Sequence, residues 1–174
     1  MTKHLSILLA MFSFFGLPSQ VAALSVGDEA PRVAARDQND ATVQLGDLYA
    51  KGPVLVYFYP KADTPGCTAQ ACSLRDAFPD FTGGGVQIIG VSSDTVAAQK
   101  KFAAKHKLPF TLLADTDHSV SKAFGVSLVP LLGVPQRQSF IIRDGKIAWI
   151  ARSAKTADHA AEVQAALKSI GAAE

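Results

Sequence analysis

The stretch from Phe58 to Cys72, FYPKADTPGCTAQAC, holds both cysteines of the chain, Cys67 and Cys72, five positions apart. Two thiols at that separation could form a structural bridge, share a metal ion, or react in turn as a redox pair, and each use needs its own geometry. If Thr64 caps a helix and Pro65 takes its first position, where the missing N–H costs nothing, Cys67 falls in the first turn and Cys72 follows on the same helix. Five residues of helix bring about 140° of rotation and roughly 7.5 Å of rise, which puts the two Cα atoms on the order of 8 to 9 Å apart. A disulfide tolerates about 7 Å, so the sulfurs cannot bond while the helix is intact. A staple around so short a loop would add only about 2 kcal/mol and would break helical turns to do so. Zinc wants four ligands at characteristic spacings, and His106, His118 and His159 sit in separate elements with no paired pattern. These constraints favour a redox pair that reacts through local unwinding, with the staple and the metal site as the alternatives.

The two thiols are not equivalent. Aligned amides at the start of a helix favour a thiolate at Cys67, as a nearby guanidinium would. Gly66 leaves the backbone open to a small ligand, and Thr64 offers a hydroxyl beside it. Cys72 lies on another face, near Arg75 and Asp76. One cysteine is placed to attack and the other to follow.

The elements that would hold this pair can be read from the pattern. Pro53 to Tyr59 is a continuous apolar, β-branched and aromatic run, as in a strand buried on both faces. Cys67, Ala71, Leu74, Phe78 and Phe81 recur at helical spacing until Pro79 and the Gly83 to Gly85 turn. Val86 to Ser92 reads as a second buried strand, with Asp94 as cap of a helix from Thr95 to Lys107. Phe110 to Ala114 is a strand, and His118 to Phe124 a short helix closed by Gly125. Ser139 to Arg143 and Lys146 to Ala151 form a hairpin around Asp144-Gly145, and Thr156 to Ile170 a last helix. Val33 to Leu45 reads as an added N-terminal hairpin. This order describes an α/β fold, a central mixed sheet flanked by helices.

Met1 to Ala23 differs from the rest. Lys3 and His4 precede an apolar run from Leu5 to Leu17, and the segment ends in small residues, the pattern of a cleaved signal peptide, with an uncleaved interfacial anchor as the alternative. The expectation is export to the periplasm or an equivalent compartment, with residues 24 to 174 folding as one domain of about 150 residues. The net charge of +2, with basic and acidic residues interleaved, argues against a nucleic-acid partner or an acidic membrane surface.

Several stretches together resemble the peroxiredoxins, and within them the Q type, also called bacterioferritin comigratory protein. They are Val26 to Asp28, Ala30-Pro31, YFYPKADTPGCTAQACSLRD, GVSSD at 90 to 94, LPFTLLAD at 108 to 115, Phe124 to Val126, RQSFII at 137 to 142 and Asp144 to Lys146. The Pro-x-x-x-Thr-x-x-Cys core, here Pro60, Thr64 and Cys67, is specific to that family, and a cysteine five residues on marks the Q type. The resemblance implies a thioredoxin-like fold and thiol-dependent reduction of hydrogen peroxide and organic hydroperoxides. It assigns Cys67 as the peroxidatic cysteine, Thr64 and Pro60 as its shaping partners, and Cys72 as the resolving cysteine, hence a Cys67 to Cys72 disulfide. Arg137, which by itself reads as a surface charge at a strand start, becomes the active-site arginine. Gly66, Thr64 and Arg137 are then the expected contacts to the peroxide. No cofactor or metal is implied, and the expected partners are a hydroperoxide and a thioredoxin-like reductant. The mature form is expected to be a monomer without membrane contact.

Two features depart from the commonest form of the family: Gln70 stands where many members have Glu, and the segment Ser127 to Gln136 is short and apolar, which reads as ordinary packing beside the helix, with a hydroperoxide or reductant contact surface as the alternative. The competing function, an exported thiol-disulfide exchange protein without peroxidase activity, needs only an accessible pair and usually carries Cys-x-x-Cys, which is absent. A third, a non-catalytic domain with a structural bridge, would ignore peroxide.

Overall fold

The computed structural model describes residues 23–171. The expected leader therefore lies, but for Ala23, outside the described residues. A hairpin opens the fold, β1 (Ala34–Asp37) and β2 (Thr42–Gln44), followed by the short α1 (Leu45–Tyr49). Then come β3 (Val54–Phe58), α2 (Pro65–Asp76), α3 (Phe78–Gly83), β4 (Gln87–Ser92), α4 (Val96–His106), β5 (Thr111–Ala114) and α5 (Ser119–Ala123). A small hairpin, β6 (Leu128–Val129) and β7 (Val134–Pro135), leads to β8 (Ser139–Arg143), β9 (Lys146–Ala151) and the closing α6 (His159–Ser169).

Seven strands form one sheet in the order β2-β1-β5-β4-β3-β8-β9. The strands β3, β4 and β5 run parallel, while β8 is antiparallel to β3 and β1 antiparallel to β5. All five residues of β3 are buried, and their side chains alternate between two cores. Leu55 and Tyr57, with Tyr59 just beyond, pack with α2, Phe102 of α4, and Val163 and Leu167 of α6. Val54, Val56 and Phe58 pack with Leu45 and Tyr49 of α1, and Val120 of α5 with Phe124 just past its end. The run that reads as continuously apolar is thus a central strand covered on both sides. In the β8-β9 turn Asp144 and Gly145 have φ of 52° and 75°, the left-handed pair that a two-residue hairpin requires.

Four expectations are corrected. The helical pattern from Cys67 to Phe81 is two helices, because Pro79 has no N–H and its ring crowds the carbonyl one turn back; α2 ends at Asp76, and the N–H of its cap residue Ala77 turns to the Ser73 and Arg75 carbonyls. The cap of α4 is Thr95, whose hydroxyl accepts from Ala98 N at 3.3 Å, and not Asp94. The last helix starts at His159, after a turn closed by His159 N on Thr156 O. The segment from Ser127 to Gln136 packs only at its base: it is the β6-β7 hairpin, with Pro135 buried and Leu131 and Leu132 at its tip exposed to solvent.

Candidate active site

The loop from Tyr59 to Thr64 carries the chain from the C-terminal end of β3 into α2, and it is fixed at three points. Tyr59 N donates to Val91 O at 3.0 Å, continuing the parallel ladder past the end of β3. Ala62 N donates to Asp94 Oδ2 at 2.7 Å, and the same oxygen accepts from Ser92 Oγ at 2.7 Å. Asp94, freed from capping α4, is therefore a loop anchor. Asp63 takes a left-handed φ of 60°, which Asp tolerates, and its carboxylate meets Lys105 Nζ at 2.7 Å and His106 Nε2 at 2.9 Å. Those contacts, with His106 first, hold the Asp63 carboxyl below its ordinary range.

Thr64 occupies the cap position of α2 with extended backbone, as expected, but its side chain does not cap. Its hydroxyl instead donates back to Lys61 O at 3.0 Å, and the first helical bond is Thr68 N to Thr64 O at 2.8 Å. The amides of Gly66 and Cys67 are left at the open, positive end of the helix without an intrahelical acceptor. Cys67 is 2% exposed and Cys72 is half-buried; both are free thiols.

Arg137 arrives from the other side. It lies two residues before β8, and the β3-β8 register, with Tyr57 opposite Ser139 and Phe58 N donating to Gln138 O at 2.7 Å, sets it across from the end of β3. Its Nη2 donates to Cys67 Sγ at 3.2 Å, and its Nη1 donates to Gln70 Oε1. A Cβ on Gly66 would stand 3.5 Å from that Nη2 and 3.6 Å from Thr156 Cγ2, so the glycine leaves open the space between helix start and guanidinium. The main chain of Arg137 is held as well, its carbonyl accepting from Ala154 N at 3.2 Å.

Behind the arginine is a buried polar row. His159 is fully buried, with Nε2 3.1 Å from Ser139 Oγ and Nδ1 3.1 Å from Glu162 Oε2. Desolvation pushes its pKa down, and Glu162 only partly opposes this. Tyr57, beside it, has its phenol pushed well up by burial.

Residues 26–150 match the model of the AhpC/TSA family. The chain belongs to the AhpC/TSA family. Among curated members, Peroxiredoxin Bcp of Escherichia coli is 44% identical over 142 residues, covering 78% of this chain and 90% of that protein. Peroxiredoxin Q, chloroplastic, of Oryza sativa subsp. japonica is 41% identical over 128 residues, 73% of this chain and 58% of the plant protein. The chain thus spans less than two thirds of the length of the plant relatives it matches. Among solved structures, peroxidoxin BcpB from Mycobacterium tuberculosis is 34% identical with a TM-score of 0.78, covering 83% of this chain and 97% of that one. A cysteine-to-serine variant of Xylella fastidiosa PrxQ is 26% identical with a TM-score of 0.79, covering 86% and 99%. The fold is that of the thioredoxin-like peroxiredoxins.

Of the residues singled out in the sequence, Gly66, Cys67 and Arg137 meet at the start of α2; Thr64 is the residue just before that helix, with its hydroxyl turned to Lys61 O, and Pro60 lies in the loop that leads there. Cys72 does not join them: an intact α2 holds it further along the helix. Three participants were not anticipated. Gln70, noted only as a departure, is the acceptor for Arg137; its place three residues after Cys67 on one helix was the available signal. Asp94 as loop anchor and His159 as the buried partner of Ser139 depend on contacts between distant elements and left no local trace.

Proposed function

We propose that the chain is a thiol-dependent peroxidase for hydrogen peroxide and organic hydroperoxides. The observation that carries this reading is the 3.2 Å contact of Arg137 Nη2 with Cys67 Sγ at an uncapped helix start. A thiolate at Cys67 attacks one peroxide oxygen; the S–O bond forms, the O–O bond breaks, and water or an alcohol leaves after taking a proton. Thiolate formation alone explains little of the rate. At pH 7 a thiol of ordinary pKa is about 3% ionised, so full ionisation gains at most ~30-fold. Lowering its pKa by ~2.5 units weakens the nucleophile by roughly tenfold.

The remainder must come from donors aimed at the oxygens. Arg137 and the Gly66 and Cys67 amides stabilise the charge that moves onto the leaving oxygen. The Thr64 hydroxyl hydrogen is engaged by Lys61 O, so its lone pairs are free to accept from the peroxide O–H. Pro60, whose ring fixes its own φ, stiffens the loop that leads to Cys67. Unwinding of α2 then lets Cys72 attack the sulfenic sulfur of Cys67, giving an intramolecular disulfide and water. A thioredoxin-like dithiol restores the pair.

The basic start, apolar run and small-residue end of Met1 to Ala23 support export, and with it an extracytoplasmic reductant; the resemblance to the Q type supports a monomeric mature chain. Mass spectrometry tests the reaction. A peroxide-treated Cys72→Ser variant should carry one added oxygen on Cys67, and the unsubstituted protein a Cys67 to Cys72 disulfide. A Cys67 that stays reduced in both would overturn the proposal.

A further inference from the structure

The slot at the start of α2 has a further wall. A Cβ on Gly66 would meet Thr156 Cγ2 at 3.6 Å as well as Arg137 Nη2 at 3.5 Å, both ordinary contact distances. The space that Gly66 leaves open beside guanidinium and methyl therefore takes about one carbon-sized atom. Thr156 lies in the loop between β9 and α6 and is exposed, Gly66 is half-buried, and Cys67 and Gln70 are buried, so this side of the site faces solvent. Branching at Cβ restricts the Thr156 side chain at χ1.

Contacts from other elements hold this loop in place. Ala154 N donates to Arg137 O at 3.2 Å, Lys155 N to Glu162 Oε2 at 3.0 Å, and Thr156 O accepts from His159 N at 3.2 Å, with Ser73 Oγ of α2 3.5 Å away. The Glu162 carboxylate is itself fixed. Its Oε2 also meets His159 Nδ1 at 3.1 Å, and His159 Nε2 meets Oγ of Ser139, the first residue of β8, at 3.1 Å. Burial disfavours the charged ring, so Nδ1–H donates to the carboxylate and Nε2 accepts from Ser139. The order serine, histidine, glutamate is that of an activated nucleophile, but Ser139 and His159 are both 0% exposed, so no substrate reaches Oγ and the row serves as a strut.

We propose that Thr156 sets the preference among organic hydroperoxides: its methyl, held beside Arg137, leaves room for a methylene next to the peroxide and crowds a tertiary carbon, so primary unbranched hydroperoxides react faster than tertiary ones. The proposal rests on the peroxidase reading of Cys67 given above. In that reaction the Cys67 thiolate bonds the terminal oxygen, the O–O bond breaks, and the oxygen carrying the alkyl group leaves and takes a proton from solvent to become the alcohol. With the terminal oxygen on Sγ and the leaving oxygen facing Arg137 Nη2, the alkyl carbon comes next, beside the guanidinium and toward the solvent side where Thr156 stands. A methylene fits that space, while the added methyls of a tertiary carbon press on Cγ2 of a loop that the strut keeps from yielding.

Stopped-flow oxidation of the reduced full chain by n-butyl and tert-butyl hydroperoxide tests this, with hydrogen peroxide as reference. The tertiary peroxide should react about tenfold or more slowly than the primary one, the effect of forcing methyl groups into a filled site. Thr156→Ser, which removes only Cγ2, should raise the ratio of the tert-butyl to the n-butyl rate about fivefold or more. Thr156→Val, which keeps a branched side chain and loses the hydroxyl, should keep the ratio of the unsubstituted protein. Equal n-butyl and tert-butyl rates in the unsubstituted protein, a ratio unmoved by Thr156→Ser, or the same rise in the Ser and Val variants would overturn the proposal. If hydrogen peroxide leaves Cys67 reduced, the peroxidase reading itself fails and takes this one with it; if it oxidises Cys67 rapidly and the alkyl groups are not discriminated, only the assignment of Thr156 fails.

Discussion

Replacing Arg137 by alanine separates two accounts of why Cys67 would react quickly. If the guanidinium serves only to keep a thiolate, the ~30-fold gain from ionisation is offset by a roughly tenfold loss of nucleophilicity, so its removal costs about threefold. If Nη2, now on Cys67 Sγ at 3.2 Å, also stabilises charge on the leaving oxygen, the loss should match that of an oxyanion donor, about 100-fold to 1,000-fold. The geometry favours the second account, because the Gly66 and Cys67 amides lie at the same helix end and the uncapped start leaves them open to the same oxygens. Stopped-flow oxidation of the reduced variant by hydrogen peroxide gives the rate, and thiolate absorbance in the ultraviolet gives the ionised fraction. A rate loss under about tenfold would refute transition-state stabilisation by Arg137.

Three further outcomes follow from the same contacts. Gln70→Leu leaves Arg137 without its acceptor and should cost about 1 to 3 kcal/mol in chemical denaturation, with a slower peroxide step; an unchanged midpoint would contradict the contact. Gly90→Ala places a methyl 2.7 Å from Leu112 and 2.8 Å from Tyr57, and overpacking of about 1 to 3 kcal/mol should lower the melting temperature. His159 has a folded pKa below its ordinary 6.5, so its contribution to stability is fully present above that pH and is lost as the pH falls through the folded value. Denaturation midpoints should therefore decline below about pH 6.5, and His159→Gln should flatten that decline.

The reach of sequence reasoning followed the range of the interactions. The cysteine pair and its incompatibility with an intact helix were legible because both thiols lie on one element, where spacing is geometry. The buried strands were legible from composition, and the β8-β9 turn from two residues. Arg137 was not: it reaches Cys67 across 70 positions through the β3-β8 register, and only the resemblance to a known family singled it out. The break between α2 and α3 was misread because the apolar period continues through Phe78 and Phe81 while Pro79 removes the hydrogen bond that would carry the helix on. The exposed Leu131 and Leu132 were misread because hydropathy cannot tell a packed loop from a projecting hairpin.

The second-order rate at which hydrogen peroxide oxidises the reduced protein, with Cys67→Ser as control, decides whether Cys67 is a peroxide-reactive thiol. The rate should lie orders of magnitude above that of a simple thiol and be abolished in the control. A rate no higher than that of a simple thiol would contradict that reading.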